Sequence, residues 1–386
     1  MPRYSVLLPT RNGASLLEGT LRSVLDQPYE DFELVVSDNA SDDGTVEILA
    51  EAAGDPRLRV LRQSEPVGVT DNWNAALAAA GGDRIVLLGD DDLMLDGYFE
   101  RADELLSAHG EPDVLLYNAY AFAFPGFEGS ADSHWADPFY TPDPKVPAEG
   151  ELSPALRREL VGDLFGFQFP IHLNMQTALV ARGAAERLPG GLFKPPFPDF
   201  YGLAALMLTA PRWAISPERL VVVGVSPKSF GRTVNSAASA AVGRDYLGID
   251  PLFPGHLPGS EIMNGHYETL LALAADFPGE LRGTRIDRAE YAWQQAYSWY
   301  VQRRLGSLTT RDVLARARLL KPSDWGRLAR LLAARLRPGR VRRWAGIDPA
   351  GDPAELWPGM QPLPEVRTIV EFAGWLRARG VTAARR

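Results

Sequence analysis

Arg84-Ile85-Val86-Leu87-Leu88-Gly89-Asp90-Asp91-Asp92 is the stretch on which the reading of this chain turns. Ile85–Leu88 is a short apolar run, half of it β-branched, and predicts a strand buried on both faces of a parallel sheet. Gly89 ends it, and three carboxylates follow with no basic residue among them. Asp is a poor strand residue, so the acids fall at the strand's carboxyl end, where open α/β sheets bind their ligands. Adjacent negative charges repel unless something positive lies between them, and a divalent cation with oxygen ligands suits that place. Taken alone, an Asp triplet is as readily an acidic turn.

Toward the N-terminus the same alternation repeats. Tyr4–Leu8 reads as a first strand, closed by Pro9-Thr10-Arg11-Asn12-Gly13. Ser15 and Glu18 have the spacing of a capping box for a helix with Leu17, Leu21, Val24 and Leu25 on one face. Phe32–Ser37 is a second strand, ending in Asp38-Asn39-Ala40-Ser41-Asp42-Asp43-Gly44, and the helix behind it carries Val46, Leu49, Ala50 and Ala53 on one side. Leu58–Leu61 is a short third strand. A loop with Pro66 and Gly68 leads to a helix through Trp73, Ala76, Leu77 and Ala80, with Thr70 as its expected cap and Gly81-Gly82 at its end. The first 92 residues therefore read β-α-β-α-β-α-β, which implies right-handed crossovers and helices on both faces.

Toward the C-terminus come a helix (Tyr98–His109) and a strand (Val114–Tyr117). Residues 121–154 are then irregular, with Phe122, Phe124, Phe127, Trp135, Phe139 and Tyr140 either packing the loop down or lining an acceptor site. Thr177–Ala181 reads as a strand, Leu203–Ala210 as a helix behind Pro198-Asp199, and Leu220–Val225 as a strand that opens into residues 226–232. From about residue 260 the pattern is helical. Leu328, Leu331, Leu332 and Leu336 oppose Arg327, Arg330 and Arg337, as in a helix lying on a membrane or one docking its Leu face on the body.

Bulk properties narrow the classes. The 386 residues contain no cysteine, which excludes disulfides, zinc–thiolate sites and iron–sulfur clusters. No run of about 18 apolar residues occurs, so neither a signal peptide nor a spanning helix is expected. The net charge of −9 hides a split: residues 281–386 hold 21 Lys/Arg against 9 Asp/Glu, and the residues before them 19 against 40. A nucleic-acid protein would place positive charge on its main domain, so no nucleic-acid partner is expected. The 5 histidines form no H-x-x-x-H cluster, which argues against a metal site built on histidine, although His172 and His256 are candidates to approach a metal.

Four motifs, in order over about the first 110 residues, resemble the family 2 glycosyltransferases of the GT-A fold. They are Ser5-Val6-Leu7-Leu8-Pro9-Thr10-Arg11-Asn12, then Glu33–Thr45 around Asp38, then Gly68 with Asn72-Trp73-Asn74, and Gly89-Asp90-Asp91-Asp92. Arg11 stands where the family has Tyr. The resemblance implies an α/β fold: a GT-A type, Rossmann-like open sheet with a mainly helical C-terminal extension. It places a catalytic domain at 1–235, with a nucleotide-sugar half at 1–118 and an acceptor half at 119–235, and a basic helical extension at 236–386.

The implied activity is metal-dependent, inverting transfer of a sugar from a nucleotide diphosphate sugar, with UDP foremost and dTDP or GDP as alternatives. The acceptor would be a carbohydrate, lipid-linked or small-molecule hydroxyl in polysaccharide, glycolipid or natural-product synthesis. Asp38 corresponds to the base-reading carboxylate, which would accept the N3–H of uracil or thymine. Pro9, Thr10, Arg11, Asn12, Asn39, Gly68, Asn72 and Asn74 complete the nucleotide pocket with Asp90 and Asp91. Asp91 and Asp92 would hold Mn²⁺ or Mg²⁺. Asp199 matches the general base, its bland alternative being a helix N-cap, with Asp163 and Glu186 in reserve. Lys228 and Arg232, with Ser229 between them, are candidates to close over the diphosphate. The expected location is cytoplasmic, at the inner face of the membrane if the basic tail binds it. Two other readings stand beside this one: a sugar-phosphate nucleotidyltransferase, and a non-catalytic nucleotide-binding protein of the same fold.

Overall fold

The computed structural model describes residues 1–127, 130–226, 229, 247–249, 253–304, 306–335 and 359–383. Its first elements are β1 (Tyr4–Thr10), α1 (Leu17–Leu25), β2 (Phe32–Asp38), α2 (Thr45–Ala52), β3 (Leu58–Arg62), α3 (Val69–Ala79) and β4 (Arg84–Leu87). β1 lies between β2 and β4, all parallel, with β3 at the edge beyond β2. The expected alternation is therefore present, strand for strand.

Next come β5 (Leu93–Met94), α4 (Tyr98–Ala108), β6 (Val114–Ala123), β7 (His134–Ala136), β8 (Gly150–Glu151), α5 (Pro154–Phe165), β9 (Ala178–Ala181), α6 (Arg182–Glu186), α7 (Pro198–Thr209) and β10 (Trp213–Val225). β9 runs antiparallel between β4 and β6. β10 is twice as long as its apolar stretch suggests, pairing parallel to β6 from Trp213 to Val225. The ladder slips between Ile215 and Arg219, where Pro217 offers no N–H. The 121–154 loop is tied in through β7 and β8, and Phe122, Phe124 and Phe127 are buried, so these three aromatics pack the segment onto the body.

Side chains alternate across the sheet with the period of two that strands impose. Leu7, Val35, Ile85 and Leu87 face one core with α3, α5, α7 and the C-terminal helices α8 (Glu261–Asp276) and α9 (Arg288–Arg304). Val6, Leu8, Leu34, Val36, Val86 and Leu88 face the other, with α1, α2 and α4. That second core also takes the last helix. After α10 (Thr310–Ala317) and α11 (Pro322–Arg335), β11 (Gln361–Pro362) pairs with β7 and α12 (Ile369–Arg377) follows a Thr368/Glu371 capping box. α12 buries Ile369, Phe372, Ala373 and Leu376, with Phe372 stacked on Phe122 at 5.0 Å. Each large side chain so buried contributes roughly 1.5–3 kcal/mol. The C-terminal end thus returns to the N-terminal half.

Two expected caps are corrected. α1 starts at Leu17 with Leu16 in the cap position and no side-chain cap, because the Gly13 carbonyl takes the Leu16 and Leu17 amides and Glu18 pairs with Arg22 at 3.6 Å instead. α3 starts at Val69 behind Gly68, so Thr70 lies inside the first turn, its buried hydroxyl without a hydrogen-bond partner. On α2 the buried residues are Thr45 and Leu49, while Ala50 and Ala53 face solvent.

Candidate functional site

The carboxyl ends of β1, β2 and β4 converge because the three strands are in parallel register, Thr10 opposite Asp38 and Leu7 opposite both Val35 and Leu87. Every side chain that the sequence motifs nominate on β1, β2 and β4 leaves the sheet at this end. Thr10 Oγ1 donates to Asp90 Oδ2 at 2.6 Å, tying the first motif to the acidic turn. Gly13 makes room for that contact: a Cβ there would meet Thr10 Oγ1 at 2.5 Å and Asp90 Oδ2 at 2.6 Å.

Asp38 is 1% exposed. Its Oδ1 accepts from the Ser41 amide at 3.1 Å, while Oδ2 has no hydrogen bond among the described residues and is ion-paired with Arg62 Nε at 3.5 Å. The Arg62 contact is an ion pair longer than an ordinary hydrogen bond, so Oδ2 keeps capacity to accept a further N–H. Two non-glycine residues beside it adopt left-handed backbone, Asn12 (φ 54) and Ala40 (φ 52). Asn tolerates that region; Ala does so at about 1–3 kcal/mol. Such strain gathers at binding sites, and no local sequence signal marks it.

The other nominated asparagines are engaged by neighbouring loops and strands. Asn39 exchanges two hydrogen bonds with the Val67 backbone, at 2.8 and 2.9 Å, which pins the loop before Gly68. Asn72 clasps Ser37 with both ends of its amide. Asn74 donates to the Phe193 carbonyl at 3.2 Å, and Trp73 packs edge-on against Phe193 at 5.3 Å, joining α3 to the segment that leads into α7. Asn12 accepts from the Asp42 amide, and its own amide donates to Ser41. Pro9 is half-buried and Arg11 exposed at the rim.

The three acids have separate surroundings. Asp92 is 1% exposed, and its two oxygens accept from the Gly89 amide at 2.6 Å and the Gly224 amide at 2.9 Å. Burial, and then the like charge of Asp91, push its carboxyl up to about 8. Asp91 is pushed up as well, first by burial, while its Oδ2 accepts from Ser229 Oγ at 2.9 Å and the Ser226 amide at 3.3 Å. Thr20 Oγ1 donates to the Asp90 and Asp92 carbonyls, at 2.9 and 2.7 Å, fixing the turn. Sequence reading missed Gly224 and Thr20. The signal for Gly224 was a lone glycine inside a β-branched strand, which marks close backbone approach.

Two adjacent carboxyls held above their usual range form an acidic pair with no ion-paired Lys or Arg among the described residues. A hard divalent cation fits such a pair, since Mg²⁺ and its like are held by one or two carboxylates with phosphate oxygens and water as the remaining ligands. Among the described residues no three His, Cys, Asp or Glu side chains group as a self-sufficient metal cage. His172 stacks on Tyr140 at 5.2 Å, and His256 Nε2 lies 3.0 Å from Asn264 Nδ2.

Asp199 sits in the first turn of α7, behind Pro198, but Phe197 holds the cap position and no side chain caps the helix. The plain N-cap reading of Asp199 is therefore set aside. Its Oδ1 accepts from the Phe200 amide at 2.8 Å, and burial pushes the carboxyl up to about 6. Phe197 and Trp73 pack on the same small cluster with Val69, so the start of α7 adjoins the start of α3. Of the reserves, Asp163 pairs with Lys145 and Glu186 is exposed at the end of α6. Lys228 and Arg232 lie outside the described residues.

Residues 5–149 match the family model for glycosyl transferase family 2. This N-terminal region is a family 2 glycosyltransferase domain. Over 99 residues it is 36% identical to the GalNAc(5)-diNAcBac-PP-undecaprenol beta-1,3-glucosyltransferase of Campylobacter jejuni, covering 25% of this chain and 32% of that one. Over 120 residues it is 34% identical to a PGL/p-HBAD biosynthesis glycosyltransferase of Mycobacterium bovis, covering 30% and 46%. The chain thus spans about a third to a half of the length of these curated relatives. Among solved structures, S. aureus TarS 1–349 in complex with UDP-GlcNAc is similar with a TM-score of 0.50 and 17% identity, covering 78% of this chain and 72% of that one. The chain has the GT-A fold, and its described residues from Glu261 onward are mainly helical.

Proposed function

We propose that the chain is a metal-dependent, inverting glycosyltransferase that moves a sugar from a nucleotide diphosphate sugar to a hydroxyl acceptor. The observation that carries this reading is the pair of adjacent carboxylates Asp91 and Asp92 held together at the carboxyl end of β4, beside Asp90 and Thr10. The open acceptor of Asp38 beside the motifs of β1 and β2 supports a nucleotide base next to it. The catalytic domain is taken as 1–235, with its nucleotide-sugar half at 1–118, its acceptor half at 119–235 and the extension at 236–386.

In this mechanism Asp38 accepts the base N3–H, which favours UDP, then dTDP or GDP, as carrier. Pro9, Thr10, Arg11, Asn12 and Gly68 wall the base and ribose, and Asn39, Asn72 and Asn74 hold those walls. Asp90 takes ribose hydroxyls, and Asp91 and Asp92 hold Mn²⁺ or Mg²⁺. Both oxygens of Asp92 accept amides, whereas the two donors to Asp91 both meet Oδ2, so Asp91 offers the more available carboxylate oxygen. The cation, when bound, supplies Lewis-acid charge to the departing diphosphate. Lys228 and Arg232 are assigned to the same diphosphate. Asp199 removes the proton of the acceptor hydroxyl, a task for which a carboxyl near 6 is half-way tuned at neutral pH. The hydroxyl oxygen attacks the anomeric carbon as the bond to the diphosphate breaks, and the configuration inverts.

The Campylobacter relative is named for GalNAc(5)-diNAcBac-PP-undecaprenol, which supports a lipid-linked acceptor here. A cytoplasmic location at the inner membrane face, reached through the basic C-terminal region, belongs to this reading. Among the described residues no helix is long and apolar enough to cross a membrane. The test is release of nucleotide from UDP-, dTDP- and GDP-sugars with Mn²⁺, compared between wild type and Asp91→Asn. Turnover of one class that depends on Asp91 supports the reading, and no turnover or binding of any class overturns it.

A further inference from the structure

The hairpin of α10 and α11 carries three large apolar side chains in solvent. Leu314, Leu319 and Trp325 are 59%, 54% and 52% exposed, on α10, in the connecting turn and in the first turn of α11. The sequence pattern gave the apolar face of this region to Leu328 and its helical neighbours. In the structure Leu328 and Leu320 are buried in the core, and buried Asp324 pairs with Arg288 at 3.2 Å. These three anchor the hairpin and leave Trp325 outward.

Single exposed leucines are ordinary. A tryptophan and two leucines exposed within residues 314–325, with Arg318, Lys321 and Arg330 exposed in the same stretch of chain, is a different composition. The one exposed acid of residues 311–330, Asp312, is engaged in the Thr309 capping box. Indole and leucine beside Lys/Arg is the chemistry of the interface between lipid headgroups and acyl chains. A protein partner or a second copy would cover the apolar side chains but gives no reason for charge of one sign around them. The residues before 281, with 19 Lys/Arg against 40 Asp/Glu, are repelled by an anionic surface, so only this end of the molecule turns toward it.

We propose that the outer face of the α10–α11 hairpin is a docking surface for anionic lipid, with Trp325, Leu319 and Leu314 entering the headgroup boundary and Arg318, Lys321 and Arg330 pairing with lipid phosphates. It rests on the glycosyltransferase reading only in supplying a reason for the enzyme to stand at a membrane; the binding does not require turnover.

The experiment is co-sedimentation of the full chain with phosphatidylcholine vesicles, with and without phosphatidylglycerol, at low and high salt. Wild type binds the anionic vesicles, binds less at high salt and ignores pure phosphatidylcholine. Arg318→Glu and Lys321→Glu each weaken binding by about fivefold or more, and Trp325→Ala by roughly tenfold. All three sites are exposed, and circular dichroism checks that the variants stay folded. Absence of binding, equal binding to both vesicles, or variants that bind like wild type overturn the proposal. So does self-association in sedimentation velocity without vesicles that Trp325→Ala abolishes, since the face then belongs to a second copy. Calorimetry with UDP and Mn²⁺ on the same samples separates the two inferences: lost nucleotide binding sinks the transferase reading alone, and lost vesicle binding sinks this one alone.

Discussion

Replacing Gly224 by alanine puts a methyl group where the structure has the Asp91 backbone. The new Cβ would lie 1.8 Å from the Asp91 carbonyl oxygen and 2.7 Å from its carbon, both rigid main-chain atoms, where real contacts stay beyond 3.0 Å. β10 must therefore withdraw from the acidic turn, and the Gly224 amide leaves Asp92 Oδ1, which it now meets at 2.9 Å. Losing a charge-assisted hydrogen bond inside the protein costs about 1.5–3 kcal/mol, and overpacking adds roughly 1–3 kcal/mol. The lower backbone entropy of alanine in the unfolded chain offsets about 0.4–1 kcal/mol. The net loss is about 2–5 kcal/mol, or a fall in melting temperature of roughly 2–6 °C for a chain of this size. Thermal melts and urea titration read the stability, and calorimetry with UDP and Mn²⁺ reads the site. A Gly224→Ala protein that melts with wild type and binds nucleotide normally would refute the close approach of β10 to this turn.

Three further outcomes follow from the same geometry. Asp199→Asn lowers turnover about 10²–10⁴-fold with nucleotide affinity unchanged, and the wild-type rate rises with pH through a midpoint near 6 because the base must be ionised; a flat profile across that range contradicts it. The same carboxyl is raised above its unfolded value, so its effect on stability is most favourable at low pH and is lost as pH climbs toward 6, a slope that Asp199→Asn removes in melts at several pH values. Asp91→Asn relieves like-charge repulsion and leaves the melting temperature unchanged or higher, whereas Asp92→Ala strands two amides and destabilises by about 2–5 kcal/mol; equal melts would show that Asp92 does not hold the turn. Asp38→Ala weakens UDP binding by at least about tenfold, and calorimetry with unchanged affinity would remove Asp38 from the base site.

The central sheet was legible because each of its first four strands is a local event: a short apolar run, a turn-forming break and a helix of the right period. The acidic turn was legible for the same reason. What the sequence did not disclose is long-range. Nothing around Trp213 announces that β10 runs 13 residues beside β6 to place Gly224 on Asp92, and nothing near Phe372 says that it stacks on Phe122, 250 positions earlier in the chain. The caps failed on backbone geometry: Ser15 and Thr70 have the right chemistry, but the chain enters α1 and α3 by turns at Gly13 and Gly68 that put each one residue or more out of place. The amides of Asn39, Asn72 and Asn74 in the nucleotide motifs are engaged by the Val67 backbone, by Ser37 and by the Phe193 carbonyl, a detail that only coordinates supply. Of the two placements the sequence left open for the Leu face of α11, buried Leu328 and exposed Arg330 agree with docking on the body, while nothing in the periodicity announced the exposed Trp325 one turn earlier.

The measurement that bears most directly on the account is calorimetric titration of the wild-type chain with UDP, dTDP and GDP, each with and without Mn²⁺, repeated on Asp91→Asn. The account predicts that one nucleotide binds, that binding needs the metal, and that the variant loses the metal dependence. Failure of all three nucleotides to bind the folded protein, or binding indifferent to both Mn²⁺ and Asp91, would contradict it.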